Sequence, residues 1–545
     1  MSKLSRRDFV ATLSMLGLTA PLMAHEGRSK PRSAVFAHGV ASGDPLHDRV
    51  ILWTRVTPTN INQDIEGRWI MARDAAFRRI AAAGRFNTDI TRDFTVKIDA
   101  DGLEPGTTYY YRFEVRNARS PIGRTRTLPL RRVEALRIAF ASCSNYPYGY
   151  FNAYARIAER QDLDLVLHLG DYIYEYALGT YVNDDLVGLR DVVPANEIIT
   201  LTDYRRRHAL YKSDADLQEA HRQHPFICVW DDHESANDAW KDGAQNHNPE
   251  NGEGEWSVRR RAAIRAYNEY MPIRSRSSAD DKIYRQFRIG ELADLIMLDT
   301  RLHGRDLQAA FKPGASDVPV TDPTVSDPNR TLMGFDQEQW LYERLYQSKA
   351  RGATWRLLGQ QIMMAQLSST FGATIINPDQ WDGYAPARAR LLETLRDNQI
   401  SNNVVLSGDI HSSWCNDLTL NPWDATAYNA TTGQGVLAVE FVTPGVTSPG
   451  PIEDPATADV VAGQLRLVSP HIKYINMYRR GYGVLDVTRE RVQCDIYHVA
   501  TIDAVDSNET FAAGFVSEAG NNVLHPASSA ARSRAAADPA PEWNE

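Results

Sequence analysis

The chain from residue 34 to 130 carries short stretches in which apolar and polar residues alternate, with turn-forming residues between them. This alternation is typical of antiparallel strands that bury one face. The strongest of these stretches are Arg49–Val56, Phe94–Ile98 and Tyr109–Val115. The pattern therefore predicts a small N-terminal β-sandwich.

A tyrosine-rich stretch sharpens this prediction. The segment Gly102–Tyr111 reads GLEPGTTYYY. It resembles the strand entry of fibronectin type III-like sandwiches, where a tyrosine near the start of a strand fixes the preceding corner. The alternative interpretation is an unrelated β-hairpin.

After residue 131 the pattern changes to short, fully apolar stretches, which suit strands covered on both faces. They are Leu136–Ala141, Leu163–Leu169, Phe226–Trp230 and Val404–Leu406. Between them, apolar residues recur at helical spacing, as in the segment that contains Phe151, Tyr154, Ala155 and Ala158. Residues 135–510 are therefore predicted to form a layered α/β domain.

Two polar stretches are too long for simple connections, and we interpret Ala177–Arg222 and Ser235–Asp281 as insertions with their own helices. Such insertions often shape the entrance to a binding site. The residues from 526 to 545 are rich in Ala, Ser and Pro, a composition that predicts a disordered tail.

The first 30 residues have the form of an export signal. Arg6 and Arg7 precede an apolar stretch from Val10 to Met23, and Ala24 follows it. The arginine pair resembles the twin-arginine signal, which directs already folded proteins to an export machinery. A buried helix is the alternative. We expect a periplasmic or secreted protein that uses the twin-arginine export machinery.

Composition excludes some classes of partner. The 545 residues have a formal net charge of −9, whereas binding to nucleic acid or to an anionic membrane needs a basic surface. No stretch after the signal is apolar for the roughly 18 residues that a membrane span needs, so we expect none in the mature protein. The 4 cysteines could form disulfides in an oxidising compartment, but their pairing cannot be derived from the sequence.

The most informative feature is that apolar stretches end in residues able to bind metal ions. The endings read ASCSN from Ala141, GDYIYE from Gly170, DDHE from Asp231 and GDIH from Gly408. Any one of them could be a turn, but burying so many ionisable groups without a partner would be costly. Alternation along an extended segment would also send Asp409 and His411 to the same side. We therefore predict that the four endings converge at one edge as a metal site.

These motifs resemble those of the calcineurin-like metallophosphoesterases, and in particular those of the PhoD-type alkaline phosphatases. Asp232 stands where the wider superfamily has Asn, and Asp409 stands where it has the first His of its last motif. VASGDP from Val40 and VWDDHE from Val229 extend the likeness over most of the mature chain. The resemblance implies a four-layer α/β/β/α catalytic domain after the sandwich.

The resemblance also implies the metal ions and their ligands. Fe³⁺ and Ca²⁺ are implied, although other divalent metals are possible. The implied iron ligands are Cys143, Asp171, Tyr174 and His411, with Asp171 bridging to calcium, and the implied calcium ligands are Asp232 and Asp409. Anionic phenolate and thiolate suit a transition metal, whereas carboxylate oxygens suit calcium.

Three further roles are open at this stage. His233 would protonate the leaving alkoxide or, alternatively, orient Asp232. Arg301 would hold a phosphate oxygen or form an ion pair with Asp299 or a neighbour. Gln360 or Gln361 could replace a histidine that the superfamily has at this point.

We therefore expect an exported alkaline phosphatase or phosphodiesterase that hydrolyses small phosphate esters with a metal-activated hydroxide. The catalytic residues would be Asp171, His233 and Arg301. A phospholipase D-like or teichoic-acid-type phosphodiesterase is an alternative. A non-catalytic surface protein stiffened by metal ions is an alternative of another class. The sequence does not distinguish monoester from diester preference.

Overall fold

A computed structural model describes residues 35–309, 318–535 and 537–542. The predicted signal segment, residues 1–30, lies outside this part of the chain. The strands are β1 (Val40–Gly43), β2 (Val50–Arg55), β3 (Ile65–Ala72), β4 (Ile80–Thr88), β5 (Thr95–Ala100), β6 (Thr108–Val115), β7 (Ala118–Arg119), β8 (Gly123–Arg126), β9 (Ala135–Ala141), β10 (Leu165–His168), β11 (Pro225–Cys228), β12 (Arg285–Ile289), β13 (Ala293–Met297), β14 (Val318–Pro319), β15 (Trp355–Gly359), β16 (Thr374–Ile375), β17 (Asn403–Ser407), β18 (Ser413–Leu418), β19 (Ala438–Val442), β20 (Ile472–Asn476), β21 (Gly481–Thr488), β22 (Arg491–Val499), β23 (Glu509–Glu518) and β24 (Asn521–Pro526).

Helices lie between the strands, including inside both predicted insertions. They are α1 (Asn152–Glu159), α2 (Leu201–Lys212), α3 (Ala215–Gln223), α4 (Trp256–Tyr270), α5 (Pro323–Ser326), α6 (Phe335–Ala350), α7 (Ala385–Asp397) and α8 (Pro455–Val468). None of the helices in the described ranges has the length and apolar character needed to cross a bilayer.

Two large sheets position the site. The first has the order β24-β23-β22-β21-β9-β10-β11-β1-β2-β5, in which β9, β10, β11 and β1 are parallel neighbours. The second has the order β12-β13-β15-β17-β19-β18-β20, in which β13, β15, β17 and β19 are parallel. The completely buried strands explain the continuous apolar stretches in the sequence.

One core joins the two sheets, and a separate core lies on the other side of the second sheet. Phe140 and Leu167 of the first sheet belong to the same cluster as Leu357 and Leu406 of the second. The alternate residues of the second sheet, such as Leu358, pack in a different cluster with residues of α6 and α7. The second sheet is therefore covered on both faces.

The N-terminal region is less separate than the sequence predicted. Strands β1, β2 and β5 extend the first large sheet, while β4, β3, β6 and β7 form a sheet to which β8 adds beside β6. One apolar cluster contains residues of both groups, including Leu52 and Tyr111. Tyr109 Oη accepts a hydrogen bond from Glu104 N at 2.8 Å, so this tyrosine does fix the preceding corner.

The C-terminal tail also differs from the prediction. Its described residues lie in extended form against the rest of the chain, and buried arginines hold its carbonyl groups. Arg137 donates to Ala531 O at 2.9 Å, and Arg222 donates to Pro541 O at 2.8 Å. The composition, rich in Ala, Ser and Pro, indicated disorder, but main-chain carbonyls supply the contacts that hold the described part of the tail. The cysteines, all buried, are unpaired.

Candidate metal centre

Four strand ends bring the predicted ligands together. Cys143, Asp171 and Asp232 follow β9, β10 and β11, which are adjacent in the first sheet. Asp409 and His411 follow β17, which belongs to the second sheet. The predicted convergence is therefore present, but it is built between two facing sheets rather than along one sheet edge.

Two glycines allow this close approach. A Cβ at Gly170, where φ is +117°, would lie 2.4 Å from the Cβ of Asp231. A Cβ at Gly408 would lie 2.4 Å from Ser142 Oγ, on the segment that follows β9. Any larger residue would push the ligand-bearing loops apart, so the glycine of each GD pair is required by packing.

Four of the predicted ligands have left-handed backbone conformations. The φ angles are 60° at Cys143, 54° at Asp171, 65° at Asp409 and 51° at His411. Such conformations are uncommon for residues other than glycine and cluster at functional sites. The expectation that an extended segment aligns Asp409 with His411 is therefore wrong, because two left-handed turns do so instead.

Their donor atoms form three overlapping groups, each with all atoms within 4.8 Å of one another. The groups are Cys143 with Asp171 and His411, Asp171 with Asp232 and His233, and Asp231 with Asp232 and Asp409. Asp171 belongs to the first two groups and Asp232 to the last two. Such sharing suits two or more adjacent ions. Asp231 is a candidate donor that the sequence reasoning did not select.

The carboxylates of this cluster fit bound cations. Asp171 Oδ1, Asp231 Oδ2 and Asp232 Oδ1 are buried and have no hydrogen-bond partner in the described part of the chain. Buried polar atoms are normally satisfied. Burial also raises the pKa of Asp171 well above its usual value, and Asp232 and Asp409 raise it further. A cation would satisfy these oxygens and keep them ionised.

The softer donors lie beside Asp171. Tyr174 Oη is 3.1 Å from Asp171 Oδ2 and 3.3 Å from His411 Nε2. Ser448 Oγ lies 2.6 Å from Tyr174 Oη and 2.9 Å from the carbonyl oxygen of Cys143. Burial raises the pKa of both Cys143 and Tyr174. Neither group would ionise readily without a cation nearby.

His411 is oriented as a ligand. Its Nδ1 lies 2.8 Å from Pro449 O, a carbonyl that can only accept a hydrogen bond, so Nδ1 carries the proton. Nε2 is then the unprotonated atom that faces Tyr174 and the cluster. Burial lowers the pKa of His411 to about 3, which keeps the ring neutral.

His233 is held differently, as one half of an ion pair. Its Nδ1 lies 2.7 Å from Glu175 Oε2, and both side chains are buried. The pKa of His233 lies well above its usual value because the attraction of Glu175, Asp171 and Asp232 outweighs its burial. The same pairing lowers the pKa of Glu175 to about 2 despite burial. His233 also lines the cavity, so the ring whose protonated form Glu175 favours faces it.

Arg301 is fully buried, and carboxylates occupy its guanidinium group. Nε donates to Asp231, Nη1 donates to Asp379 at 2.7 Å, and Nη2 donates to Asp409 at 2.6 Å. Asp232 Oδ1 lies 3.6 Å away. Of the two roles left open by the sequence, these contacts favour the ion pair. Two of the partners, Asp231 and Asp409, are strand-end aspartates, whereas Arg301 donates to Asp299 only through its main-chain N.

The glutamines are not placed as ligands. Gln360 Nε2 donates to Ser407 Oγ at 2.6 Å, and its Oε1 accepts from Trp381 Nε1 at 3.0 Å. Gln361 bonds to Trp230 O and Thr300 in the same way. Their polar atoms are occupied within the sheet, so neither replaces a metal-binding histidine.

Sequence reasoning missed a positioning role for Glu234. Its carboxylate accepts from Asp171 N at 3.0 Å, Tyr172 N at 2.6 Å and Asp231 N at 2.8 Å. It thereby fixes the loops after β10 and β11 to each other. The only signal was the acidic residue that ends the DDHE stretch, and its partners are main-chain groups that a sequence does not reveal.

The cluster opens into one cavity of about 1000 Å³. Asp171, Asp232, His233, Asp409 and His411 line one part of it. The rest has a largely apolar wall. Substrate can therefore reach the cluster from this side.

Comparisons with known proteins agree with the motifs. The family model "PhoD-like phosphatase" matches residues 138–496, and the model of its N-terminal domain matches residues 22–129. Alkaline phosphatase D of Bacillus subtilis (strain 168) is 40% identical over 504 residues, which cover 89% of this chain and 82% of that protein. A solved structure titled "Structure of PhoD" superposes with a TM-score of 0.81 at 37% identity, covering 92% of this chain and 93% of the other.

Proposed function

The chain belongs to the PhoD-like phosphatase family and hydrolyses phosphate esters, and we propose that it does so as an exported enzyme whose cluster at the four strand ends holds metal ions. The observation that carries this proposal is the set of three buried carboxylate oxygens on Asp171, Asp231 and Asp232 that accept no hydrogen bond within the described residues. Export is supported by the arginine pair and apolar stretch within residues 1–30. We further propose that the two facing sheets and their helices form the family's four-layer α/β/β/α arrangement, preceded by a fibronectin type III-like sandwich.

The donor chemistry supports two kinds of ion. Cys143, Asp171, Tyr174 and His411 would hold Fe³⁺, because thiolate, phenolate and imidazole suit a transition metal. Asp232 and Asp409 would hold Ca²⁺, with Asp171 shared between the two. When bound, the ions would lower the pKa of a bound water and neutralise phosphate charge.

His233 acts as the general acid. It is protonated because Glu175 stabilises its charge, and Nδ1 is engaged by that partner. Nε2 is left to donate a proton to the leaving alkoxide, which is a poor leaving group when unprotonated. The alternative role of orienting Asp232 has less support, because Asp232 Oδ2 is already held by Asp238 N at 2.5 Å and the hydrogen bond of the His233 ring goes to Glu175.

Arg301 serves the reaction as a positioning residue. It holds Asp409, a proposed calcium ligand, through Nη2 and holds Asp231 through Nε. Because carboxylates occupy the guanidinium group, we replace the phosphate-holding role expected for Arg301 by this one.

Two variants test the proposal. Asp171→Asn should lose bound metal and turnover together, because the residue is shared by two donor groups. His233→Ala should keep its metal but slow the hydrolysis of alkyl phosphates by roughly 10²-fold or more. Elemental analysis and phosphate release measure the two effects. Asp294→Asn is the matched control, since this buried carboxylate pairs with Arg351 elsewhere.

The alternatives give different results. If metal ions only stiffen the fold, Asp171→Asn should lower the stability of the protein, and neither the wild type nor any variant should release phosphate. A phospholipase D-like or teichoic-acid-type phosphodiesterase would turn over bis(p-nitrophenyl) phosphate faster than p-nitrophenyl phosphate. Export is tested by changing Arg6 and Arg7 to lysine, which should leave the protein in the cytoplasm.

A further inference from the structure

We propose that the apolar part of the cavity is a subsite for a hydrocarbon group on the phosphate ester, so that the enzyme prefers esters of alcohols with an aliphatic or aromatic chain. This inference rests on the proposed function, because it names the class of ester that reaches the cluster. It concerns residues that neither bind metal ions nor transfer protons.

The cavity has two chemically different parts. Aspartates and histidines of the cluster line one part, as described above. The other part includes apolar side chains such as Met363, Leu367, Ile376, Trp414, Val461 and Leu465, and polar residues such as Asp382 and Gln464 also line the cavity. Leu367, Ile376 and Val461 are only partly buried and pack against the second apolar core. These three side chains extend that core to a surface that faces the cavity.

The main chain connects this wall directly to the ligands. Pro449 O accepts a hydrogen bond from His411 Nδ1–H, and the chain then continues through Pro451 and Ile452 into α8. Ile410, which also lines the cavity, stands between Asp409 and His411 in sequence. Apolar side chains that line the cavity therefore belong to the same short segments that carry or contact the candidate ligands.

Another part of the cavity lining is also connected to a candidate ligand. Gln380 Nε2 donates to Asp409 Oδ2 at 2.5 Å, and its Oε1 accepts from Met363 N at 2.6 Å. Gln380 thus ties a ligand to an apolar wall residue. The apolar space is therefore formed before any substrate binds, which reduces the entropy cost of binding.

Helix α8 presents two different apolar faces. Val461, Leu465 and Val468 follow the spacing of one helix face and line the cavity. Val460 lies on the outside and is 61% exposed. The helix therefore offers two adjacent valines, one inside the proposed subsite and one outside it.

The size of the cavity exceeds what a phosphate group needs. About 1000 Å³ is at the upper end of the range for pockets that bind organic ligands of drug size. Without a hydrocarbon group, water would have to cover the apolar wall. Each methylene moved from water onto such a wall contributes about 0.8 kcal/mol when fully buried, which corresponds to about a three- to fourfold gain.

The test compares n-alkyl phosphates from ethyl to octyl, each below its micelle concentration, with the metal-loaded enzyme. Released phosphate gives kcat/KM, which should rise about threefold per methylene and roughly 700-fold over the six added methylenes. A flat or falling series would overturn the subsite while leaving the phosphatase intact. If the enzyme hydrolyses none of the alkyl phosphates and no p-nitrophenyl phosphate either, the proposed function is refuted instead.

Matched variants locate the effect. In Val461→Asp the ratio of kcat/KM for octyl to ethyl phosphate should fall to within a few fold of one, because the charge must stay hydrated. Val460→Asp, the same change on the outer face, should leave this ratio as in the wild type. Val461→Thr keeps the side-chain shape and serves if Val461→Asp does not fold. An unchanged ratio in both Val461 variants would refute the assignment of α8 to the subsite.

The hydrocarbon group could belong to a free amphiphile or to a membrane lipid. Monomeric dihexanoyl phosphatidate and dioleoyl phosphatidate in phosphatidylcholine vesicles distinguish these sources. Turnover of the monomer alone assigns free amphiphiles, and turnover of the vesicle lipid assigns membrane lipids. If neither phosphatidate is hydrolysed faster than ethyl phosphate, the subsite is contradicted.

Discussion

Replacing Arg301 by lysine separates the charge of this residue from its shape. Arginine contacts Asp231, Asp379 and Asp409 at once through three different nitrogens. Lysine keeps one positive charge in the same place but has a single ammonium group, which cannot span three carboxylates. The variant therefore keeps the local net charge and removes the fixed orientation of the ligand Asp409.

The expected loss can be derived from these contacts. A hydrogen bond to a charged group contributes about 1.5–3 kcal/mol, and a buried carboxylate left without its partner destabilises the fold by about 3–5 kcal/mol. Lysine should retain about one of the three bonds, so the loss of the other two should lower the free energy of unfolding of metal-free protein by about 3–6 kcal/mol. Loss of a group that orients a ligand typically weakens metal binding by about 10- to 100-fold.

Urea unfolding of chelated protein measures the first effect, and calcium titration of turnover measures the second. Arg351→Lys is the matched control, since Arg351 pairs with the buried Asp294 away from the cluster. This control should lose stability but keep its calcium dependence. If Arg301→Lys instead bound calcium normally and only raised the KM for phosphate esters, the positioning role would be wrong and the phosphate-holding role correct.

Three other changes have defined outcomes. Glu175→Gln should slow alkyl phosphate hydrolysis by roughly 10²-fold, but p-nitrophenyl phosphate hydrolysis much less, because His233 loses the partner that favours its protonated form and only the alkoxide needs a proton. The control is Glu197→Gln, which disrupts a pair with Arg259. Equal slowing of both esters would contradict the acid role. Chelation should lower the urea midpoint, and an ion at 100 times its Kd should restore about 2.7 kcal/mol; unchanged midpoints would show that the carboxylates need no cation. The free energy of unfolding should fall as the pH decreases from 6.5 towards 3, because burial lowers the pKa of His224 to about 3 and the unfolded chain binds a proton that the folded chain does not. In urea titrations, His224→Gln should reduce the slope of this free energy against pH by about 1.4 kcal/mol per pH unit. An unchanged slope would refute this role of His224.

The sequence was most informative where one physical rule acts locally. Continuous apolar stretches predicted β9, β10, β11 and β17 to within a few residues, because strands covered on both faces need no polar positions. The ends of the same strands predicted which side chains would meet. The layered α/β class therefore followed from this pattern, whereas the individual ligands were implied by the resemblance to a family.

It was less informative where a contact depends on main-chain geometry or on distant partners. The left-handed turns at Asp409 and His411 are only weakly signalled by residue type, because Asp and His are enriched in this conformation but adopt it in a minority of cases. The partners of Glu234 are main-chain N–H groups, and those of Arg301 come from three separate segments. The tail is ordered by arginines far from it in sequence. Such pairings become visible only after the chain has folded.

The position of the ligands also connects folding to export. Cys143 and Asp171 come from one sheet and His411 from the other, so the cluster is complete only when both sheets have packed together. Before ions bind, Asp171 and its neighbours are a concentration of buried carboxylates that oppose this packing. Ion binding and the final packing should therefore occur together. The export route proposed above, which carries already folded chains, would allow the cluster to be loaded before export.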